Sequence, residues 1–209
     1  MSKFLSAVIW AVKNWYTIYE KTLRVIGDLK VFKTPFFIQY CPEEYDYKVR
    51  GESILELRKV IKPGDIVLRS YDHYLDSFLI PGKYSHSGVY IGDDTIVHAV
   101  AEGVKKINII DFCQADAVLV LRPKMGQEDA IERVIAAIGK AYDFKFKTDD
   151  DSEFYCHELS AMAYKDKFEI KSVTPTFLGK ELKFLRPKYL AESFIDNENF
   201  TKVCEIDPV

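Results

Sequence analysis

From Phe4 to Ile26, apolar side chains return every three or four positions (Phe4, Leu5, Val8, Ile9, Val12, Trp15, Tyr16, Tyr19, Leu23, Ile26), the spacing of one stripe on a long helix that Gly27 closes. Residues 33 to 52 carry Pro35, Pro42 and Gly51 among aromatics and charges and read as an irregular connection. Ser53 and Glu56 then have capping-box spacing, so a second helix opens at Ser53, runs through Ile54, Leu55, Leu57, Val60 and Ile61, and stops at Pro63-Gly64. Beyond Asp65 the period falls to that of a strand. Ile66 to Leu68, Val89 to Ile91, Ile96-Val97, Ile107 to Ile110 and Val118 to Leu121, parted by turn segments such as Gly92-Asp93-Asp94, predict antiparallel strands. Helical spacing returns from Gln127 to Ala141, again from near Tyr155 to Tyr164, and briefly from Tyr189 to Ile195 in a mixed tail. Helices gathered against an antiparallel sheet make an α+β domain.

At 209 residues, with 48% hydrophobic and 29% charged side chains, the chain has the composition of one globular domain with an appendage. The pattern divides it into a helical extension over residues 1–62, packing on a domain over 63–209. A net charge of -3 provides no general basic field, and nucleic acid is not an expected partner. The stretch Met1 to Lys33 does hold six Lys/Arg against two Asp/Glu. Its helix is therefore basic on one side and aromatic on the other. It reads as a cover for the core or an oligomer contact, with peripheral membrane contact through residues 1–26 as the alternative. Lys13, Asn14, Glu20 and Lys21 interrupt the apolar run before the ~20 residues a bilayer span needs, so neither a signal peptide nor a transmembrane helix is expected. Cys41, Cys113, Cys156 and Cys204 show no paired spacing, which fits thiols in a reducing, cytoplasmic setting. With His73, His86, His98 and His157 they form no zinc-ligand pattern, and no metal or other cofactor is expected.

Two segments carry candidate chemistry. Tyr84-Ser85-His86-Ser87-Gly88-Val89-Tyr90-Ile91-Gly92 sets a histidine at the entrance of an apolar strand, and His98 follows twelve residues later on the next. Taken singly, each is more often structural than catalytic. Glu153-Phe154-Tyr155-Cys156-His157-Glu158-Leu159 sets a cysteine in the first turn of a helix, where free N–H groups and the helix dipole favour an anion. Such a site lowers a thiol from about 8.5 into the range of about 3.5 to 7.5. A buried core cysteine is the alternative.

Ser-His-Ser-Gly-Val-Tyr-Ile-Gly with Val-His-Ala after it resembles the histidine motif of NlpC-type cysteine hydrolases, and Pro63-Gly64-Asp65-Ile66-Val67 resembles the strand before that motif. Here the helix-opening cysteine follows the histidine, and Tyr155-Cys156-His157-Glu158-Leu159 is similar to the Cys-x-Glu-Leu segment of the circularly permuted branch, the YiiX/YebB-like hydrolases. More distantly, the order resembles that of lecithin:retinol acyltransferase-like enzymes. The resemblance covers residues 63 to 165. It implies a permuted papain-like fold, with about five antiparallel strands in a partly barrel-like sheet. It also implies Cys156 as nucleophile, His86 as base and later acid, and His98 as the group that orients His86.

A two-residue turn at Asp93-Asp94 would set His86 and His98 on opposite faces of the sheet; a three-residue loop or a bulge restores one face. Ser85, Tyr155 and Glu158 are candidate substrate contacts. Tyr155 would serve the oxyanion site or the cleft wall, with the Cys156 N–H as the better oxyanion donor. Glu158 would bind a substrate amine or pair with a neighbour, and His157 should point away from the thiol. Asp149-Asp150-Asp151 reads as a solvated loop. The leading expectation is hydrolysis of an amide in a peptide or small amidated substrate through an acyl-thioester. The rivals are a lipid-directed thioesterase or acyltransferase and a silent binding module that keeps the fold.

Overall fold

The structure, a computed structural model, describes residues 29–31, 38–40, 47–72, 82–143, 146, 151–173, 176–177, 180–181 and 188–208. The helix expected up to Gly27 lies outside these residues, as do His73 and Asp149-Asp150. Residues 1–46 with 73–75 form one compact unit, whose described part is an antiparallel ribbon of β1 (Leu29–Val31) and β2 (Ile38–Tyr40). The second unit, Tyr47–Asp72 with Asp76–Val209, carries the sheet and the helices that follow it. The expected division at residues 62 and 63 falls inside this second unit.

In the second unit α1 (Gly51–Val60) leads into β3 (Ile66–Ser70), β4 (His86–Gly92), β5 (Thr95–Val100) and β6 (Gly103–Asn108). Then follow α2 (Ile109–Phe112), β7 (Ala117–Pro123), α3 (Gln127–Ala136), α4 (Cys156–Tyr164), the two-residue strands β8 (Thr176–Phe177) and β9 (Lys180–Glu181), α5 (Glu192–Ile195) and β10 (Phe200–Ile206). Six strands form one antiparallel sheet in the order β10-β7-β3-β4-β5-β6. The sheet is open, not barrel-like, and has a sixth strand, β10, that the sequence reading left in the mixed tail.

Strand alternation gives the sheet two buried faces. Ile66, Leu68, Val89, Val97, Leu119 and Leu121 point to the side of Val134, Leu159, Tyr164 and Phe194, from α3, α4 and α5. Val67, Tyr90, Ile96, Val118 and Val120 point to the other side, where Ile54, Leu57 and Ile61 of α1 and its C-terminal flank meet Ile109 and Phe112 of α2. Both faces being covered explains why Ile66 to Leu68 of β3 and Ala117 to Leu121 of β7 read as unbroken apolar runs.

Several boundaries differ from the expectation for local reasons. The helix expected from Ser53 begins at Gly51, with the Arg50 carbonyl accepting from Ile54 N–H and no side-chain cap, while Glu56 pairs with Lys59. The strand expected over Ile107 to Ile110 stops at Asn108, whose side-chain oxygen accepts the Ile110 N–H and starts α2. The helix from Gln127 ends at Ala136, because the following segment docks on β6: Val104 donates to the Lys140 carbonyl and accepts from Gly139.

The turn before β3 is closed by Asp65, which is fully buried. Its carboxylate accepts from Lys62 N–H at 2.8 Å and from Arg122 of β7 at 2.9 Å (Nε) and 2.7 Å (Nη2). Gly64 beside it has φ +92°, and a Cβ there would sit 2.5 Å from Gln127 Cβ. Its carbonyl accepts from the Tyr164 hydroxyl at the end of α4. Pro63-Gly64-Asp65 thus ties α4 and β7 to the strand pair that carries the histidines. Removing one member of a buried ion pair leaves an uncompensated charge, which costs about 3 kcal/mol or more. Arg122→Ala is expected to lower unfolding stability by about that amount in urea titration; a loss under about 1 kcal/mol would mean water replaces the guanidinium.

Candidate active site

His86 opens β4 opposite Arg69 of β3, and His98 of β5 lies directly opposite Gly88. The connection is a two-residue turn, with Asp93 and Asp94 at φ 47° and 53°, and the register shifts between Tyr90 and Gly92. Ile91 is the extra residue of a bulge, and it restores the parity that the short turn alone would break. His86 and His98 therefore share one face, offset diagonally. Gly88 makes room for their meeting, since a Cβ at that position would lie 2.5 Å from Ile96 Cγ2 and 3.2 Å from His98 Cβ. Across this gap His86 Nε2 and His98 Nδ1 stand 2.9 Å apart, with the rings edge to face. The Phe112 ring lies 5.7 Å from both imidazoles and forms the apolar wall behind them.

Cys156 occupies the first position of α4, as the sequence predicts, with Tyr155 as N-cap. Helix α4 packs on the opposite face from the histidines, anchored through Ser87: its hydroxyl lies 2.9 Å from Ser160 Oγ and 3.0 Å from His157 Nδ1. Cys156 Sγ reaches the margin of β4, 3.9 Å from the Ser85 carbonyl, and the N–H groups of Ser87, His157 and Cys156 itself point toward the sulfur. Ser85 and Ser87 flank His86 in the chain, so the thiol lies beside the backbone that carries the imidazole. The structure shows no direct hydrogen bond between them; catalytic contacts in unliganded enzymes are often long and close on substrate binding.

Electrostatics correct one expectation. Burial pushes the Cys156 thiol up to about 11, against the smaller downward pull of the backbone donors and Arg69. The helix terminus does favour the anion, but it acts on a sulfur with 3% of its residue surface exposed, and desolvation wins. His86 is held well below 6.5 by burial first and then by Arg69, and His98 is lowered to about 3 for the same two causes. Thiol and imidazole are thus both neutral near pH 7. His98 can then act toward His86 as a neutral acceptor: with the proton on His86 Nε2, His86 Nδ1 keeps its lone pair.

The other candidates divide. The Ser85 N–H is spent on the Arg69 carbonyl, at 3.1 Å. The Tyr155 hydroxyl accepts the Tyr189 N–H at 2.8 Å, which holds the ring beside the start of α4. Glu158 accepts the Tyr155 N–H at 3.3 Å and so closes the helix start, a role neither expectation named; burial raises its carboxyl to about 8. His157 turns from the thiol into the core, as expected, and is lowered to about 4 by burial. Asp151 is exposed and pairs with Lys165 at 3.2 Å.

Sequence reasoning missed Ser87, Ser160 and Arg69. Arg69 was detectable in principle, as a charge inside the otherwise apolar run Ile66-Val67-Leu68-Arg69.

Comparison with known proteins follows the same lines. The family described as permuted papain-like amidase enzyme, YaeF/YiiX, C92 family, matches residues 60–204. The crystal structure of the metalloprotein YiiX from Escherichia coli O157:H7 superposes with a TM-score of 0.58 at 18% identity, over 70% of this chain and 98% of that one. No curated protein matches. Among the described residues, no group of three or more His, Cys, Asp or Glu side chains is placed to hold a metal ion, and no helix is long and apolar enough to cross a membrane.

The neutral pair has a direct signature. The ultraviolet thiolate absorbance that distinguishes the protein from its Cys156→Ala variant should be negligible at pH 7 and grow as pH rises toward 11, because a raised thiol pKa postpones proton loss. A full thiolate signal already present at pH 6 would instead mark a preformed thiolate–imidazolium pair.

Proposed function

We propose that this chain, which belongs to the C92 family of permuted papain-like amidases, hydrolyses an amide bond with Cys156 as nucleophile, His86 as general base and acid, and His98 as the group that orients His86. The family makes it an amidase-type cysteine hydrolase; the assignment of roles rests on the contact of 2.9 Å between His86 Nε2 and His98 Nδ1, beside the helix start that presents Cys156.

The neutral resting pair sets the order of events. His86 Nδ1 removes the Cys156 proton as the sulfur attacks the carbonyl carbon, so thiolate forms only along the reaction path. The His86 imidazolium keeps its Nε2–H on neutral His98, whose own protonation is disfavoured by burial and Arg69. We assign stabilisation of the tetrahedral oxyanion to N–H groups at the start of α4, that of Cys156 foremost. Collapse breaks the C–N bond while His86 returns the proton to the leaving amine. Water, deprotonated by His86, then attacks the thioester carbonyl and releases the carboxylic acid and the Cys156 thiol.

With an acyl-anilide substrate, Cys156→Ala should abolish anilide release and His86→Gln should lower it by about 10²–10⁴-fold, as for loss of a general base. Gly88→Ala, whose Cβ would press on Ile96 Cγ2 and the Val97 carbonyl as well as on His98, should reduce kcat and also lower stability in urea titration. Intact mass should show an acyl adduct that Cys156→Ala lacks. Anilide release that survives in Cys156→Ala, or that is indifferent to His86→Gln, sinks the assignment.

A further inference from the structure

Arg69 sits on β3 directly opposite His86, on the face that carries His86, His98 and Phe112. Opposed residues in an antiparallel pair hold their Cβ atoms about 4.5–5.5 Å apart. Its Nη1 donates to the Phe112 carbonyl at 3.0 Å, and the guanidinium carbon lies 4.5 Å from the Phe112 ring centroid and 5.0 Å from that of Tyr71. The Nε–H is buried with no partner. Among the described residues no carboxylate pairs with this guanidinium, whereas Arg58, Arg122 and Arg133 each have one. A half-buried cation, sandwiched by aromatic rings and left with unused donors, is an expensive group to keep in a fold. Its charge is felt at His86, His98 and Cys156.

We propose that Arg69 is a specificity-determining residue that receives a carboxylate on the acyl side of the substrate, so that the preferred substrates are amides whose acyl group bears a free carboxylate close to the scissile carbonyl. The planar fork suits that partner: two donors in fixed geometry meet two carboxylate oxygens, which an ammonium does not reproduce. The aromatic walls keep the guanidinium oriented and limit competing water. The proposal rests on Cys156 and His86 acting as assigned above, and its test separates the two.

Iodoacetate and iodoacetamide differ by one carboxylate against one carboxamide. Each alkylates a thiol by forming an S–C bond as C–I breaks and iodide leaves, with the thiol proton passing to a base. The rate of each at Cys156, followed by mass spectrometry of the peptide that contains it, yields a ratio in which thiol activation cancels. In the full-length protein this ratio should exceed that of free cysteine at least tenfold. Arg69→Gln should return it to the free-cysteine value, and Arg69→Lys should leave an intermediate preference. His86→Gln should slow both reagents together and leave the ratio unchanged. If His86→Gln leaves both rates as they were, the base assignment fails while the ratio still judges Arg69. A wild-type ratio equal to that of free cysteine, or one that Arg69→Gln retains, overturns the carboxylate proposal alone.

Discussion

Strand β4 has to serve two faces within a single residue step. Ser87 points to α4 and is held there by His157 and Ser160; its neighbour His86 points the other way and meets His98. Because side chains on a strand alternate, the depth at which α4 docks on Ser87 also sets where Cys156 stands along the backbone flanking His86. A slip of one residue in the β3–β4 register would reverse both, turning the serine to the histidine's side and the imidazole into the apolar core. The turn before β3 guards against that slip, since the Gly64 N–H donates to the Tyr90 carbonyl at 2.7 Å and the Tyr90 N–H to the Asp65 carbonyl at 2.9 Å.

Desolvation decides the chemistry available to such a site. The start of α4 and Arg69 both favour negative charge at the sulfur, yet burial outweighs them and the resting thiol is protonated. The same burial, reinforced by Arg69, keeps both imidazoles neutral. On the proposed assignment, the group that accepts a proton in the reaction is thereby available at neutral pH, and its neighbour is an acceptor toward it. The guanidinium has opposite effects on the two partners: it makes His86 a weaker base and the thiol a stronger acid.

Much of this was legible in the chain. The strand runs around Ile66, Val89, Ile96 and Val118 declared the central strands, and Cys156 opened its helix where the pattern placed it. The shared face of His86 and His98 was not legible, because it depends on Ile91 bulging out of the ladder, and a bulge leaves no mark on hydrophobic alternation. Strand β10 was hidden for a different reason: the register shift between Lys202 and Cys204 breaks the period of two in Phe200–Ile206. At Asn108 a strand-like run of isoleucines was overridden by one side-chain cap. The burial that raises the Cys156 thiol was not legible, because position on a helix is visible in sequence, whereas the depth of the surrounding core is a tertiary property.

The distribution of unsatisfied polar atoms points the same way as the geometry. Arg69 Nε and His98 Nε2 are buried without a hydrogen-bond partner on the face that carries His86, and Glu192 Oε2 on α5 is another such atom. Each costs on the order of 1–3 kcal/mol that an apolar side chain would avoid. Asp65, equally buried, is by contrast saturated with partners a few residues from Arg69. The contrast separates two kinds of buried polar group in one fold. Asp65 is satisfied and builds the turn, whereas Arg69 and His98, on the face of the proposed site, each keep one buried nitrogen unpaired.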